Sequence, residues 1–215
     1  MAARRWRSRR AAGEELAEAL AARLDEPAQA LILALPRGGV AVAAPLAKRL
    51  GAELDVLVVR KVGVPWQPEL AMGAVTAQGQ RVTNEEVLAR VDLSTREIDR
   101  AFESARDEAV RREQRLRPGR LPVDFGGREV VIVDDGIATG ATVRAAARLV
   151  REVTPPPKKA ILAVPVGPRE TIEEMSAAYD DVVALVRAEW FDAVGAWYDD
   201  FGQVPDETVV ALLRT

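Results

Sequence analysis

Val130-Val131-Ile132-Val133-Asp134-Asp135-Gly136-Ile137-Ala138-Thr139-Gly140-Ala141-Thr142 is the stretch that decides the fold. Four β-branched apolar residues run into two adjacent carboxylates, and a small-residue loop with glycines and hydroxyls follows. An Ala-rich helical pattern then extends from Val143 to Val150. The run reads as a buried parallel strand, a phosphate-cradling turn and a helix N-terminus. Backbone N–H groups from Ala138 to Thr142 can point into one concavity, and with the positive helix end they suit a phosphate dianion. Thr139 and Thr142 add hydroxyl donors. Asp134 and Asp135 are poor neighbours for phosphate. Ionised carboxylates only accept hydrogen bonds, so they suit vicinal hydroxyls. A phosphate at one end and a diol a short distance away describe a ribose 5-phosphate.

The pattern acid-acid-x-x-x-Thr-Gly-x-Thr after a hydrophobic strand resembles the signature of type I phosphoribosyltransferases, whose substrate is 5-phosphoribosyl 1-pyrophosphate (PRPP). Two other readings fail on residues. A Walker loop needs Gly-x-x-x-x-Gly-Lys-Ser/Thr, and position 141 is Ala. A response-regulator receiver needs a phosphorylatable Asp after a later strand and a Lys further on. Asp180 and Asp181 precede their strand, and no Lys follows Lys159.

Composition narrows the chemistry. The 215 residues are enough for one substantial domain. A hydrophobic share of 48% and a charged share of 29% describe an ordinary globular chain. The net charge of −3 argues against broad nucleic-acid binding. There is no Cys and no His. A thiol nucleophile, a disulfide, an imidazole base and the commonest transition-metal ligands are therefore excluded. A metal would be a hard cation held by oxygens, which points to magnesium. Arg4, Arg5, Arg7, Arg9 and Arg10 crowd the start, but Glu14, Glu15 and Glu18 interrupt any apolar run of a targeting segment. The basic cluster reads as the solvated start of a helix. A cytoplasmic location and no membrane association are expected.

Along the chain, Leu16, Leu20 and Leu24 mark an amphipathic helix from Arg9. Leu31 to Leu35 is a short buried strand broken by Pro36-Arg37-Gly38-Gly39, and Val40 to Leu50 is a helix. Leu54 to Val59 reads as a second core strand ending at Arg60-Lys61. Gly63, Pro65 and Pro68 mark a loop. A hairpin is expected from Ala71 to Thr76 and Gln80 to Thr83. Ser94-Thr95-Arg96-Glu97 is a capping box opening a long helix to Arg117, with Asp107–Arg111 and Glu108–Arg112 as supporting i,i+4 pairs. Ala160 to Val166 and Val182 to Val186 are further strands, and Asp206 begins a terminal helix. Alternating strands and helices predict an α/β fold with a parallel sheet flanked by helices. Ligand is expected at the carboxyl ends of its strands.

The resemblance reaches beyond the central motif. Trp6-Arg7-Ser8-Arg9, Val59-Arg60-Lys61-Val62-Gly63, and the tail Ala193-Val194-Gly195 with Trp197-Tyr198 resemble a bacterial and archaeal group of phosphoribosyltransferases of undefined acceptor. The likeness thins over 76–126. Ser8 stands where that group tends to have an acid, and Trp66-Gln67 where it tends to have Gly-Asn. The resemblance implies a five-stranded parallel core (25–61 and 126–187), a flexible lid segment (62–125), and a small hood built from the N-terminal helix and 188–215, all in one phosphoribosyltransferase domain.

It also implies roles. Gly136, Ile137, Ala138, Thr139, Gly140, Ala141 and Thr142 would bind the PRPP phosphate, and Asp134 and Asp135 its diol. Gly38 and Gly39, with Arg37, match the pyrophosphate loop, while Arg60 and Lys61 match a basic pair that contacts pyrophosphate. The catalytic set is then Asp134, Asp135, Lys61 and Arg37, with Mg2+ held mainly by substrate near the two acids. Phe191, Trp197 and Tyr198 are candidates for stacking on a planar acceptor, or are hood core. The expected partners are PRPP, pyrophosphate and a small-molecule acceptor such as a nucleobase. A homodimer stays open, and no stable nucleic-acid partner is expected. The alternative is a non-catalytic PRPP-sensing regulator on the same fold.

Overall fold

The computed structural model describes residues 5–214. Helix α1 (Arg9–Ala21) leads to β1 (Leu31–Ala34), α2 (Gly38–Leu50) and β2 (Glu53–Val56). Then come β3 (Val59–Val64), β4 (Gln67–Thr76), β5 (Arg81–Thr83), α3 (Glu85–Leu88) and α4 (Thr95–Leu116). The second half holds β6 (Glu129–Val133), α5 (Ala141–Arg151), β7 (Lys159–Pro168), α6 (Arg169–Met175), β8 (Asp181–Ala188) and α7 (Asp206–Leu212).

Five strands form a parallel sheet in the order β2-β1-β6-β7-β8. The apolar runs that form β1 and β6 are buried along their whole length, as a sheet covered on both faces requires. Side chains alternate between the two faces. Ile32, Ala34, Val131 and Val133 face α1 and α2, whereas Leu31, Leu33, Val130 and Ile132 face α5 and α6. The chain runs outward from β1 to β2 on one side and from β6 to β8 on the other. The switch point lies between β1 and β6, so the turns after these strands diverge and leave a crevice.

The segment between β2 and β6 differs from expectation. The strand expected over Leu54–Val59 stops at Val56, and a new one begins at Val59. The loop expected around Gly63, Pro65 and Pro68 is instead a hairpin. β3 and β4 pair antiparallel around the Pro65-Trp66 turn, and β5 adds a third strand. The prolines are accommodated because one sits in the turn and Pro68 lies beside a register shift at Gly63. A side chain at Gly63 would overlap the Pro68 backbone. Val62, Val64, Met72 and Val75 bury against Phe102 of α4.

The capping box at Ser94 and Glu97 forms as expected. The two expected ion pairs on α4 do not. Glu108 pairs with Arg60 and Arg112 with Asp206, because tertiary partners lie closer than the next helical turn. Below them, buried Arg117 pairs with Asp55 of β2 and ties the end of α4 to the main sheet. No helix among the described residues is long and apolar enough to cross a membrane.

Candidate active site

Strand β6 delivers Asp134 and Asp135 to the carboxyl edge of the sheet. Each carboxylate has a defined position. Asp134 Oδ1 accepts the amide N–H of Asp135 at 2.9 Å, and Asp135 Oδ2 accepts Arg9 Nε–H at 2.7 Å. The Asp135 carbonyl accepts the Tyr198 hydroxyl at 2.6 Å. Burial, reinforced by the charge of Asp135, pushes the Asp134 carboxyl well above the ordinary carboxylate range. Burial also raises Asp135, while the Arg9 guanidinium pulls it back down. Two desolvated acids side by side resist full ionisation until a cation or a set of hydroxyl donors reaches them.

The following loop is anchored at its middle and open at its end. Ile137 donates its N–H to the Val166 carbonyl at 2.9 Å and tucks its side chain against Gly167. Its role is therefore to fasten the loop to β7, and its amide is already engaged. Thr171 Oγ1 donates to the Ala138 carbonyl at 3.1 Å. Thr139 stays exposed. Gly140 adopts φ +70 at the N-cap of α5, a left-handed geometry that glycine reaches without strain. The first turn of α5 has no side-chain cap. Its leading amides therefore suit an external anion.

Across the switch point, Pro36-Arg37-Gly38-Gly39 turns from β1 into α2, with a cis Pro36–Arg37 peptide. This turn is pressed onto the acid pair. A side chain at Gly38 would overlap the Asp135 carboxylate, and one at Gly39 would come 2.5 Å from the Val133 carbonyl. Arg37 Nη1 lies 3.6 Å from Asp206 Oδ1 of α7. A cleft of about 800 Å3 opens here, lined by Pro36, Arg60, Thr142 and the α4 residues Arg111, Arg112 and Arg115. Its size falls in the usual range for small-molecule sites.

The basic pair divides. Both residues lie on β3 of the second sheet and not at the end of a core strand, because β2 has already stopped at Val56. Arg60 reaches the cleft and pairs with Glu108. Lys61 does not line it and instead borders an adjoining groove with Gly63, Arg100 and Ser104.

The aromatics of 188–215 also divide. Tyr198 is only 1% exposed, packs on Trp6 at 5.7 Å between ring centroids, and has its hydroxyl engaged by Asp135. It is core, clustered with Trp6, Val166 and Ala188, and its face is closed to an acceptor. Phe191 and Trp197 stack on each other at 6.5 Å and remain half-buried.

Sequence reasoning missed three polar groups. Arg9 holds Asp135 from the first turn of α1, and its guanidinium lies 3.8 Å from the centroid of the Phe201 ring. Arg112 of the cleft wall pairs with Asp206 of α7. For Arg9 a signal existed in the Trp6-Arg7-Ser8-Arg9 resemblance, yet a helix-leading Arg in a basic cluster is ordinarily solvated. Among the described residues no cluster of three or more acids could cage a metal by itself. Two carboxylates fit a cation whose remaining ligands come from substrate and water.

Comparison with known proteins agrees with this geometry. A family model described as "Phosphoribosyl transferase domain" matches residues 8–200. The crystal structure of TT1426 from Thermus thermophilus is 46% identical, covers 97% of both chains and superposes with a TM-score of 0.85. "Putative phosphoribosyl transferase Rv0571c" of Mycobacterium tuberculosis is 46% identical over 202 residues, which are 94% of this chain and 45% of that protein. The "Bifunctional protein PyrR" of Chloroflexus aurantiacus is 31% identical over 112 residues, 51% of this chain and 56% of that one. The chain spans about half the length of the Mycobacterium tuberculosis relatives it matches. With the parallel sheet, the acid pair and the open helix N-terminus all lying within the matched residues, the chain belongs to the phosphoribosyltransferase family and has its type I fold.

Proposed function

We propose that this chain binds magnesium-complexed PRPP and transfers its phosphoribosyl group to a small nucleophilic acceptor, a nucleobase or related nitrogen compound, with release of pyrophosphate. The observation that carries this reading is the half-buried Asp134–Asp135 pair, seated between the uncapped first turn of α5 and the Gly38 turn. The α5 amides with Thr139 and Thr142 take the 5-phosphate. Asp134 and Asp135 take the ribose diol and offset positive charge that develops on the ring. Arg37 and Arg60 hold the pyrophosphate, and segment 62–93 acts as the lid. Asp134 and Asp135 are also the residues that would hold magnesium, directly or through the hydroxyls. When bound, it supplies charge neutralisation on the leaving group.

In the transfer, the bond from C1 to the pyrophosphate oxygen breaks and its electron pair leaves with pyrophosphate. The acceptor's lone pair forms the new bond to C1 from the opposite face, and the acceptor's proton passes to solvent. No protein base is required, in keeping with a chain that lacks His. The protein acts in the cytoplasm.

Calorimetry with PRPP, with and without magnesium, tests the binding. Release of pyrophosphate across a panel of nucleobases tests the transfer. Magnesium-dependent binding and turnover on one base are expected. No binding at millimolar PRPP would overturn the reading. Binding without turnover on any base would leave a PRPP-sensing regulator in its place.

A further inference from the structure

We propose that helix α4 supplies the second wall of the pyrophosphate seat, with Arg112 as a direct ligand and Arg115 as a supporting one. The inference rests on the proposed function and assigns it new residues. Arg112 Nη2 lies 3.2 Å from Asp206 Oδ1, the same oxygen that lies 3.6 Å from Arg37 Nη1. One carboxylate oxygen therefore sits between a guanidinium of the Gly38 turn and a guanidinium of α4. That oxygen is buried and makes no hydrogen bond, while Asp206 Oδ2 accepts Arg112 Nη1–H at 3.2 Å. Two cations brought together over one imperfectly satisfied acceptor retain donor capacity for a further anion. Arginine has five N–H donors in a fixed fork, and a phosphoryl group can take two of them from each side.

The surroundings agree in sign. The cleft wall on α4 presents Arg111, Arg112 and Arg115 toward Pro36 and Thr142, with Glu108 as the acid on that wall. Glu108 is already paired with Arg60. Arg111 and Arg115 have no ion-pair partner among the described residues. Such a helix face, left unneutralised beside a glycine turn, suits a ligand with several negative charges. It is also fixed in place. The buried Arg117–Asp55 pair clamps the end of α4 to β2, and Val123 donates its N–H to Asp55 at 3.0 Å. The helix is thereby fixed before ligand arrives, and Arg112, already held by Asp206, loses less side-chain entropy on binding.

The probes are inorganic pyrophosphate and ribose 5-phosphate, both titrated with magnesium into the whole chain. Arg112→Gln should weaken pyrophosphate by about tenfold or more, the value of one charged hydrogen bond, and leave ribose 5-phosphate unchanged. Arg112→Lys should recover part of the loss. Because Arg112→Gln also unpairs Asp206, Arg115→Gln gives a second reading, since that guanidinium holds no part of the fold in an ion pair. It should weaken pyrophosphate selectively and leave the melting temperature unchanged. Wild-type binding of both probes, with neither variant altering pyrophosphate selectively, would overturn the α4 wall alone. Failure of the wild type to bind either probe would overturn the proposed function as well.

Discussion

Arg9 Nε stands 2.7 Å from Asp135 Oδ2, with both side chains almost enclosed, at 12% and 15% exposure. The contact joins the first turn of α1 to the end of β6, and the Gly202 carbonyl and the Phe201 ring hold the other side of the guanidinium. Asp135 is thus oriented from α1 and not from its own sheet. Removing Arg9 leaves a desolvated carboxylate without its donor, a loss of about 1.5–3 kcal/mol for a charged hydrogen bond. Arg9→Ala should therefore lower the melting temperature. It should also shift the pH dependence of PRPP binding to higher pH, because Arg9 is what pulls the Asp135 carboxyl down. Arg9→Lys should not restore wild-type behaviour, since an ammonium lacks the planar fork that bonds and stacks together. Unchanged stability and an unchanged pH profile in Arg9→Ala would remove Arg9 from the site.

Asp134 gives a prediction of opposite sign for stability. Its carboxyl is raised by burial and by Asp135, so the folded state holds the proton more tightly than the unfolded chain does. The stability linked to this group is full below the ordinary carboxylate range and is lost as pH rises through the raised value. Asp134→Asn keeps the acceptor for the Asp135 amide and removes the charge. The unliganded variant should melt higher than wild type at neutral pH and lose this part of the pH dependence. Turnover should fall by roughly 10²-fold, the scale of one lost electrostatic contact in the transition state. Melting curves across pH, paired with a pyrophosphate-release assay, check both halves. A variant that melts lower at neutral pH would show that the charged form is not the strained one.

Gly38 tests the contact between the two turns. Its Cα meets the Asp135 carboxylate with no room for a side chain. Gly38→Ala must displace either the turn or the acid. A shift of about 1 Å in a reacting constellation can cost on the order of 10²-fold in rate, so turnover should fall on that scale. Thermal melting and initial rates measured together decide the matter. Wild-type rates in Gly38→Ala would mean that the turn can retreat without consequence.

The core of this site was legible because it is local in sequence. The acid pair, the Thr-Gly loop and the helix that follows lie within one strand–turn–helix unit, where β-branched runs, glycines and small residues each have a direct backbone meaning. The Gly38 turn was legible for the same reason. Arg60 and Lys61 were misplaced because a run such as Leu54–Val62 carries no mark of where one sheet ends and another begins. Val59 suits either sheet, and only the pairing of Val59 with Thr76 assigns it to the second. Arg9, Arg112 and Asp206 were not legible from spacing at all. Arg9 lies 126 residues from its partner Asp135, and Arg112 lies 94 residues from Asp206. For a single charged residue on a helix, the i,i+4 neighbour is the default expectation, and here tertiary packing overrode it.

Tyr198 and Trp197 separate hood structure from acceptor contact. The Tyr198 hydroxyl donates to the Asp135 carbonyl from within the core, so Tyr198→Phe removes one hydrogen bond and no packing. That should cost about 1 kcal/mol of stability. It should lower the affinity for PRPP modestly through Asp135, with the Michaelis constant for the acceptor unchanged. Trp197 is half-buried and stacked on Phe191. If it stacks on the acceptor, Trp197→Ala should raise the acceptor's Michaelis constant by up to about tenfold, from ~0.5–1.5 kcal/mol of lost ring contact, and should spare PRPP. Steady-state kinetics with both substrates varied, alongside melting of the unliganded variants, separate the two roles. A fall in Trp197→Ala stability with no selective effect on the acceptor would place Trp197 with Tyr198 in the hood core. The acceptor contact would then have to come from the β3–β4 side of the cleft.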